Sequence, residues 1–252
     1  MGNRFDLSGK VAVVTGGSRG MGREMVLAFA ESGADVVIAS RKLDACEALA
    51  AEVTARFPER QALALATHVG RWQDCNELAE KAYDRFGSID VLVNNAGMSP
   101  LYDSLVDVSE ELYDKVLSVN LKGPFRLMAL FGDHMAKGSG GSIINVSSIA
   151  SIRPTPIETA YAAAKAGLNA LTVAYAHAFG PKVRVNTIVA GPFLTDISKA
   201  WDLDAFNARV QANYALGRGG QPDEIVGAAL YFASDASSYT TGALLRVDGG
   251  AP

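Results

Sequence analysis

The chain has 252 residues, of which 49% are hydrophobic and 20% charged, with a formal net charge of -4. This balance supplies a sizeable core and excludes a disordered chain, while the small negative charge, with no Lys/Arg runs, excludes a sequence-wide attraction to nucleic acid. No apolar stretch nears the roughly 20 residues of a membrane helix, and Met1-Gly2-Asn3-Arg4-Phe5-Asp6 carries no apolar leader core. Cys46 and Cys75 stand apart, with no Cys-x-x-Cys or paired His, so neither a disulfide framework nor a metal site is predicted and the expected compartment is the reducing cytoplasm.

No linker or compositional break divides the chain, which reads as one domain. Short β-branched runs alternate with longer amphipathic stretches. Strands are predicted near 10–15, 35–39, 62–66, 90–93, 142–147, 182–188 and 243–247, and helices near 19–32, 42–56, 71–86, 109–136, 157–179 and 222–234. Val11-Ala12-Val13-Val14 and Val91-Leu92-Val93 are apolar on both faces, as expected where helices cover both sides of a parallel sheet. The predicted fold class is therefore α/β, a doubly wound parallel sheet of about seven strands.

The first strand runs into Thr15-Gly16-Gly17-Ser18-Arg19-Gly20-Met21-Gly22 and a helix follows at once. Glycines allow close backbone approach to a pyrophosphate, and a helix amino terminus offers unpaired N–H groups at a positive dipole end. A dinucleotide is the ligand this context predicts. After the second strand, Ala39-Ser40-Arg41 stands where an NAD-binding chain would place an acid for the ribose hydroxyls. Ser40 can hydrogen-bond a 2′-phosphate and Arg41 can pair with it, with Arg19 as a second cation, so NADP(H) is expected over NAD(H).

Ser148 ends the run Ser142 to Ser148, which reads as a buried strand, and Tyr161-Ala162-Ala163-Ala164-Lys165 follows thirteen residues later among strong helix formers. Tyr161 and Lys165 should share a helical face. An ammonium nearby favours the ionised phenol, which makes Tyr161 a candidate acid/base, and Ser148 can hydrogen-bond a reacting oxygen from the strand's carboxyl end. After the sixth strand, residues 193–221 read as a polar, irregular segment holding Trp201, Phe206 and Tyr214. The segment is either a substrate lid or a helical pair packing its aromatics inward, and the position beyond the strand ends favours the lid.

With these residues assembled, the chain resembles the short-chain dehydrogenase/reductase family in its compact single-domain form. The resemblance rests on Thr15 to Gly22, Asn94-Asn95-Ala96-Gly97, Asn120, Ser148, Tyr161, Lys165, Asn186 and Val247-Asp248-Gly249-Gly250, in the family's order and spacing. It implies a Rossmann-type fold and hydride transfer between a nicotinamide dinucleotide and a ketone or secondary alcohol. Tyr161 would be the proton donor, Ser148 the oxygen holder, Lys165 the partner of Tyr161 and of the ribose, and Asn120 the fourth catalytic residue. The residues that would bind cofactor are Gly16, Ser18, Arg19, Gly20, Met21, Gly22, Ser40, Arg41, His68, Val69, Asn95, Ala96, Gly97, Tyr161, Lys165, Gly191, Phe193 and Thr195. A homotetramer built from residues 109–136, 157–179 and the carboxyl-terminal strand is also implied.

Beside Asn120 the sequence offers its own physics. Pro124 has no N–H to donate to the Asn120 carbonyl four residues earlier, so the helix should kink there, with Gly123 easing the distortion. Two departures stand against the family pattern. His68 replaces the usual Asp at the third strand's end, either to meet adenine or as a surface residue. Ala190-Gly191-Pro192 stands where Pro-Gly is usual. The expected pocket residues Met98, Ser99, Ile149, Ala150, Ile152 and Arg153 are mostly apolar, favouring a partly hydrophobic ketone such as a 3-oxoacyl chain, a cyclic ketone or a steroid-like compound. Arg153 is open to two readings, a carboxylate or phosphate partner or an ordinary exposed residue. Rival readings are a non-catalytic dinucleotide sensor, which needs no such constellation, and a polyol or sugar dehydrogenase. A sugar-nucleotide epimerase would need a larger carboxyl-terminal region.

Overall fold

The computed structural model describes residues 3–195, 198 and 202–252. Seven strands, β1 (Val11–Thr15), β2 (Asp35–Ser40), β3 (Ala62–Ala66), β4 (Val91–Asn94), β5 (Gly141–Ser148), β6 (Val183–Ala190) and β7 (Leu244–Val247), form one sheet in the order β3-β2-β1-β4-β5-β6-β7. Every pairing is parallel. Chain direction across the sheet reverses between β1 and β4, and a crevice opens beyond the carboxyl ends of strands at such a switch point.

The helices are α1 (Gly20–Glu31), α2 (Leu43–Arg56), α3 (Trp72–Phe86), α4 (Glu110–Leu117), α5 (Gly123–Lys137), α6 (Thr159–Phe179), α7 (Leu203–Asn213) and α8 (Val226–Ala233). Because strand side chains alternate faces, β1 sends Ala12 and Val14 to a core with α1, α2 and α8, and Val11 and Val13 to a second core with α3, α5 and α6. That two-sided demand is why β1 and β4 read as apolar runs. No helix among the described residues is long and apolar enough to cross a membrane.

Two expectations need correction. The single helix predicted over 109–136 is α4 and α5 joined by a π-helical turn, Ser118–Lys122. Pro124 cannot donate to the Asn120 carbonyl, and the backbone answers by widening the turn rather than by breaking. The segment expected to be irregular contains α7, whose Asp202 side chain accepts from the Ala205 N–H at 3.0 Å and so caps it. Phe206 packs inward and is buried, and Tyr214 is half-buried, whereas Trp201 lies outside the described residues.

The base of this segment is tied down at both ends. Phe193 and Gly220 form a parallel bridge, with Leu194 N–H donating to the Gly220 carbonyl at 2.8 Å. Leu216 N–H donates to the Gly249 carbonyl at 3.0 Å, inside the closing Asp248-Gly249-Gly250 turn. Asn186 donates to the Thr240 carbonyl at 2.8 Å and accepts from Ala243 N–H at 3.0 Å, which fixes the approach to β7.

Candidate active site

The glycine turn and the loop after β4 meet at the switch point. Thr15 Oγ1 accepts from the N–H groups of Asn95 and Ala96 at 3.0 and 3.2 Å, and Asn95 Nδ2 donates to the Thr15 carbonyl at 2.9 Å. A side chain on Gly16, whose φ is +63°, would put its Cβ 2.9 Å from Ala96 Cα, so only glycine permits the approach. Helix α1 starts at Gly20 with no side-chain cap and no acid in its first turn, leaving its first N–H groups to an anion. This cradle fits a dinucleotide's pyrophosphate. Met21 packs against the core behind the turn and Gly22 lies close under Gly16.

At the end of β2, Ser18 Oγ donates to Ser40 Oγ at 2.9 Å, and Ser40 Oγ also lies 3.0 Å from Cys46 Sγ. Arg41 is exposed beside them, with no acid at the strand's end. His68 turns back on its own loop: its Nδ1 accepts from Gly70 N–H at 3.2 Å. Val69 is buried, with its carbonyl against Gly123 at the head of α5 and accepting from Cys75 Sγ. Gly191 is packed on the backbone of Asp248, and its N–H donates to Val247 at 2.9 Å. Thr195 leans over Gly20, whereas the Phe193 ring is buried against Gly220, so only Phe193 backbone is offered to the crevice.

Asn120, Ser148, Tyr161 and Lys165 converge beside that turn. Asn120 is fully buried: its Nδ2 donates to the Met98 carbonyl at 2.9 Å and its Oδ1 accepts from Met98 N–H at 3.2 Å, which holds the loop after β4. A Cβ at Gly97 would lie 3.0 Å from Asn120 Oδ1 and 3.6 Å from Lys165 Nζ, so that loop passes flush against both. Ser148, at the carboxyl end of β5, lies beside the Tyr161 phenol, and its Oγ accepts from Ala150 N–H at 3.1 Å. Lys165, only 3% exposed, donates to the Val146 carbonyl at 2.7 Å.

The electrostatics differ from the expected lowering of the Tyr161 pKa by Lys165. Burial pushes Tyr161 up to about 12, against the pull of the nearby Ser148 hydroxyl and aided by the charge of Glu158. Burial also pulls Lys165 down to about 8. Desolvation penalises both charged forms, and the ammonium, 5.7 Å from the Tyr161 ring centre, is aimed at a backbone carbonyl instead of the phenol oxygen. In the protein alone, the arrangement is a neutral phenol ready to give a proton, beside a cation that is charged below about pH 8.

The structure adds a seam of side chains that sequence reasoning missed. Asn169 Nδ2 donates to Ser151 Oγ at 2.8 Å, and Ser151 Oγ donates to the Ser148 carbonyl at 2.6 Å. Ser147 Oγ donates to the Lys165 carbonyl at 3.3 Å, and Asn145 Nδ2 to Thr172 Oγ1 at 2.8 Å. Tyr161, Lys165, Asn169 and Thr172 are spaced 4, 4 and 3 apart, so one polar stripe of α6 is stapled to β5. That stripe in an Ala-rich helix was the available signal. Glu158, Tyr102 and Arg209 also gather near the start of α6, without a sequence signal beyond their polarity, beside the expected pocket residue Ser99.

Comparison with known proteins agrees with this geometry. The family described as Enoyl-(Acyl carrier protein) reductase matches residues 16–252. The chain is 36% identical to the 3-oxoacyl-[acyl-carrier-protein] reductase of Thermotoga maritima, covering 97% of this chain and 98% of the relative. It is 40% identical to the L-rhamnose 1-dehydrogenase (NAD(P)(+)) of Azotobacter vinelandii, covering 96% of each. The crystal structure of a 3-oxoacyl (acyl-carrier-protein) reductase from Agrobacterium tumefaciens with NADP bound superposes with a TM-score of 0.91 at 31% identity, over 98% of this chain and 96% of that one. The glycine cradle, the assembled tetrad and these matches together make this chain a member of the short-chain dehydrogenase/reductase family, an oxidoreductase of alcohol and carbonyl groups that binds a nicotinamide dinucleotide.

Proposed function

We propose that the protein reduces a ketone with NADPH, or oxidises the matching secondary alcohol with NADP+, using Tyr161 as the acid/base. The observation that carries this is the Tyr161 phenol beside the Ser148 hydroxyl, with the buried Lys165 Nζ 5.7 Å from the Tyr161 ring centre. The bound dinucleotide supplies the hydride or takes it up. Ser148 donates a hydrogen bond to the carbonyl oxygen, and Tyr161, neutral at physiological pH, delivers the proton to that oxygen as negative charge develops. Lys165 would add the stabilising charge and hold the ribose hydroxyls of the dinucleotide, beside the loop at Gly97 that Asn120 fixes.

Preference for NADP(H) is supported by the end of β2, where two hydroxyls and the exposed Arg41 stand with no carboxylate to repel a 2′-phosphate. Gly16, Gly20 and Gly22 would pass beside the pyrophosphate, Asn95, Ala96 and Gly97 beside the ribose, His68 and Val69 near adenine, and Gly191 and Thr195 near the nicotinamide. Met98, Ile149 and Ile152 would form the hydrophobic wall of a substrate pocket that the 193–221 segment covers as a lid. A homotetramer is supported by apolar residues left exposed on α4, α5, α6 and β7, among them Tyr113, Phe125, Val173 and Leu244. Two buried free cysteines suit the cytoplasm.

The test is loss of reduced-nicotinamide absorbance with NADPH, and separately NADH, over β-ketoesters, diketones, cyclic ketones, ketosteroids and keto-sugars. Turnover with NADPH is expected. Silence across the panel with NADPH binding intact would favour a dinucleotide sensor.

A further inference from the structure

On the buried side of the two hydroxyls at the end of β2 lies a thiol. Cys46 stands in the first turn of α2 and has no exposed surface. Its Sγ is 3.0 Å from Ser40 Oγ, a contact in which either atom can donate, and 3.8 Å from the Leu65 carbonyl. Ser18 Oγ donates to the same Ser40 oxygen at 2.9 Å. The Lys42 carbonyl is 3.4 Å from Ser40 Oγ and already accepts from Cys46 N–H at 3.3 Å, the first bond of α2. Ser40 is thus the centre of a cluster drawn from the glycine turn, the end of β2, the head of α2 and β3.

Three side-chain protons serve this cluster, one each on Ser18, Ser40 and Cys46. Burial raises the pKa of the Cys46 thiol, so it keeps its proton at neutral pH. Within the protein, Ser18 gives its proton to Ser40. A phosphate group is a strong acceptor, so a hydroxyl binds it by donating. Once Ser18 and Ser40 both turn their protons outward, the Ser40 oxygen loses the bond that Ser18 had supplied. Cys46 is then the donor at hand, because its thiol can turn from the distant Leu65 carbonyl to the nearer Ser40 oxygen. A side chain this deeply buried does not touch the ligand itself, so its influence passes through Ser40.

We infer that Cys46 is a positioning residue for cofactor choice: its thiol holds the Ser40 oxygen so that the Ser40 hydroxyl proton is directed to a 2′-phosphate on the adenosine ribose. The inference rests on the NADP(H) reading above and adds to it a residue that makes no contact with the dinucleotide. A ribose that ends in a hydroxyl gains nothing from a donor behind Ser40, because a hydroxyl both donates and accepts and is satisfied by either orientation of its partner. Loss of the thiol proton should therefore act on NADPH and spare NADH.

The experiment titrates the full chain with NADPH and with NADH, follows nicotinamide fluorescence, and reads the ratio of the two Kd values within each variant. A loss that comes from packing weakens both cofactors and cancels in the ratio. The wild-type protein is expected to bind NADPH more tightly, and Ser40→Ala to shrink that advantage. Cys46→Ala should shrink it about threefold, the scale of one neutral hydrogen bond. Cys46→Ser, which keeps a donor of similar size, should restore it. In the Ser40→Ala background, Cys46→Ala should change the ratio no further, because the thiol then has no hydroxyl to hold. Cys46→Val fills the space without a donor, should match Cys46→Ala, and carries the test if the alanine variant binds neither cofactor.

An unchanged ratio in Cys46→Ala and Cys46→Val, or loss of both cofactors in both, marks a packing role and overturns the inference alone. A ratio that Cys46→Ser does not restore, an effect of Cys46→Ala that persists without the Ser40 hydroxyl, or an NADPH advantage untouched by Ser40→Ala overturns it as well. A wild-type protein that does not prefer NADPH overturns the NADP(H) reading and the role of Cys46 with it.

Discussion

The seam between β5 and α6 and the rim of the same cleft are built on opposite terms. Along the seam, Asn145, Ser147, Lys165 and Thr172 are buried and hydrogen-bonded across the joint, and the Asn169–Ser151 link extends the joint to the backbone of Ser148. Along the rim, Arg41, Ile152, Arg153 and Arg209 are exposed, and Glu158 is half-buried. Groups whose placement must be exact to a fraction of an ångström are held by partners that are costly to lose, whereas groups facing incoming ligands can change at little cost to stability. Turnover and selection are therefore separable here: seam variants should act on kcat, and rim variants on ratios between ligands.

The largest effect tests the seam. Tyr161→Phe removes the transferable proton and leaves the ring, so kcat should fall about 100- to 10,000-fold, while NADPH affinity stays nearly unchanged. Steady-state kinetics with a fluorescence titration measure both, and retained turnover would remove Tyr161 from its role. On the rim, Arg41→Asp should lower the kcat/KM ratio of NADPH to NADH by about 10- to 100-fold, the scale of a lost charge-assisted pair made repulsive. An equal fall with both cofactors would break the separation, and an unchanged ratio would make Arg41 a bystander.

Both of these variants were legible in the sequence, because each depends on local order: a glycine turn between strand and helix, an absent acid after β2, a Tyr and a Lys on one helical face. β1, β2 and β4 were legible for a related reason, since burial on both faces leaves no polar residue inside the run to blur it. What was not legible is geometry made by partners far apart in the chain. Asn169 and Ser151 are 18 residues apart, and Tyr102 reaches Thr159 across 57. The π-helical turn was half legible. Pro124 announced a missing hydrogen bond, but whether the helix breaks or widens is decided by packing, here the close fit of Gly123 on the Val69 carbonyl. The direction of the Tyr161 pKa was misjudged because proximity to an ammonium is visible in sequence and desolvation is not.

Asn169→Leu sharpens the comparison at intermediate strength. It keeps the volume and deletes the bond to Ser151, which steadies the Ser148 carbonyl. The expected loss of stability is about 0.5–1.5 kcal/mol by denaturant unfolding, with kcat down about tenfold or less and KM for NADPH unchanged. A change in KM alone would show that the seam is merely structural at this position.

The gentlest test needs no substitution. Lys165 has its pKa lowered to about 8 in the folded protein from an ordinary 10.5, and Tyr161 is raised to about 12 from 10.0. In reduction the phenol stays protonated over the working range, so kcat/KM should decline only as Lys165 loses its charge, to about half its plateau near pH 8. Oxidation of the alcohol needs the phenolate and should instead climb with pH. Stability runs against the reductive profile. Between about 8 and 10.5 the unfolded chain holds a proton on Lys165 that the folded chain has released, so this group's contribution to stability grows as pH rises and is lost as pH falls through about 8. Tyr161, with its raised folded value, contributes fully below 10.0 and loses that contribution as pH rises from there towards about 12, so it offsets the Lys165 rise only at the top of this window. Reductive activity falling while the Lys165 contribution to stability rises would mark titration within the seam; the two falling together would mark unfolding. Lys165→Met, which cannot titrate, is the control: its stability should lack the rise that the wild-type protein shows above pH 8.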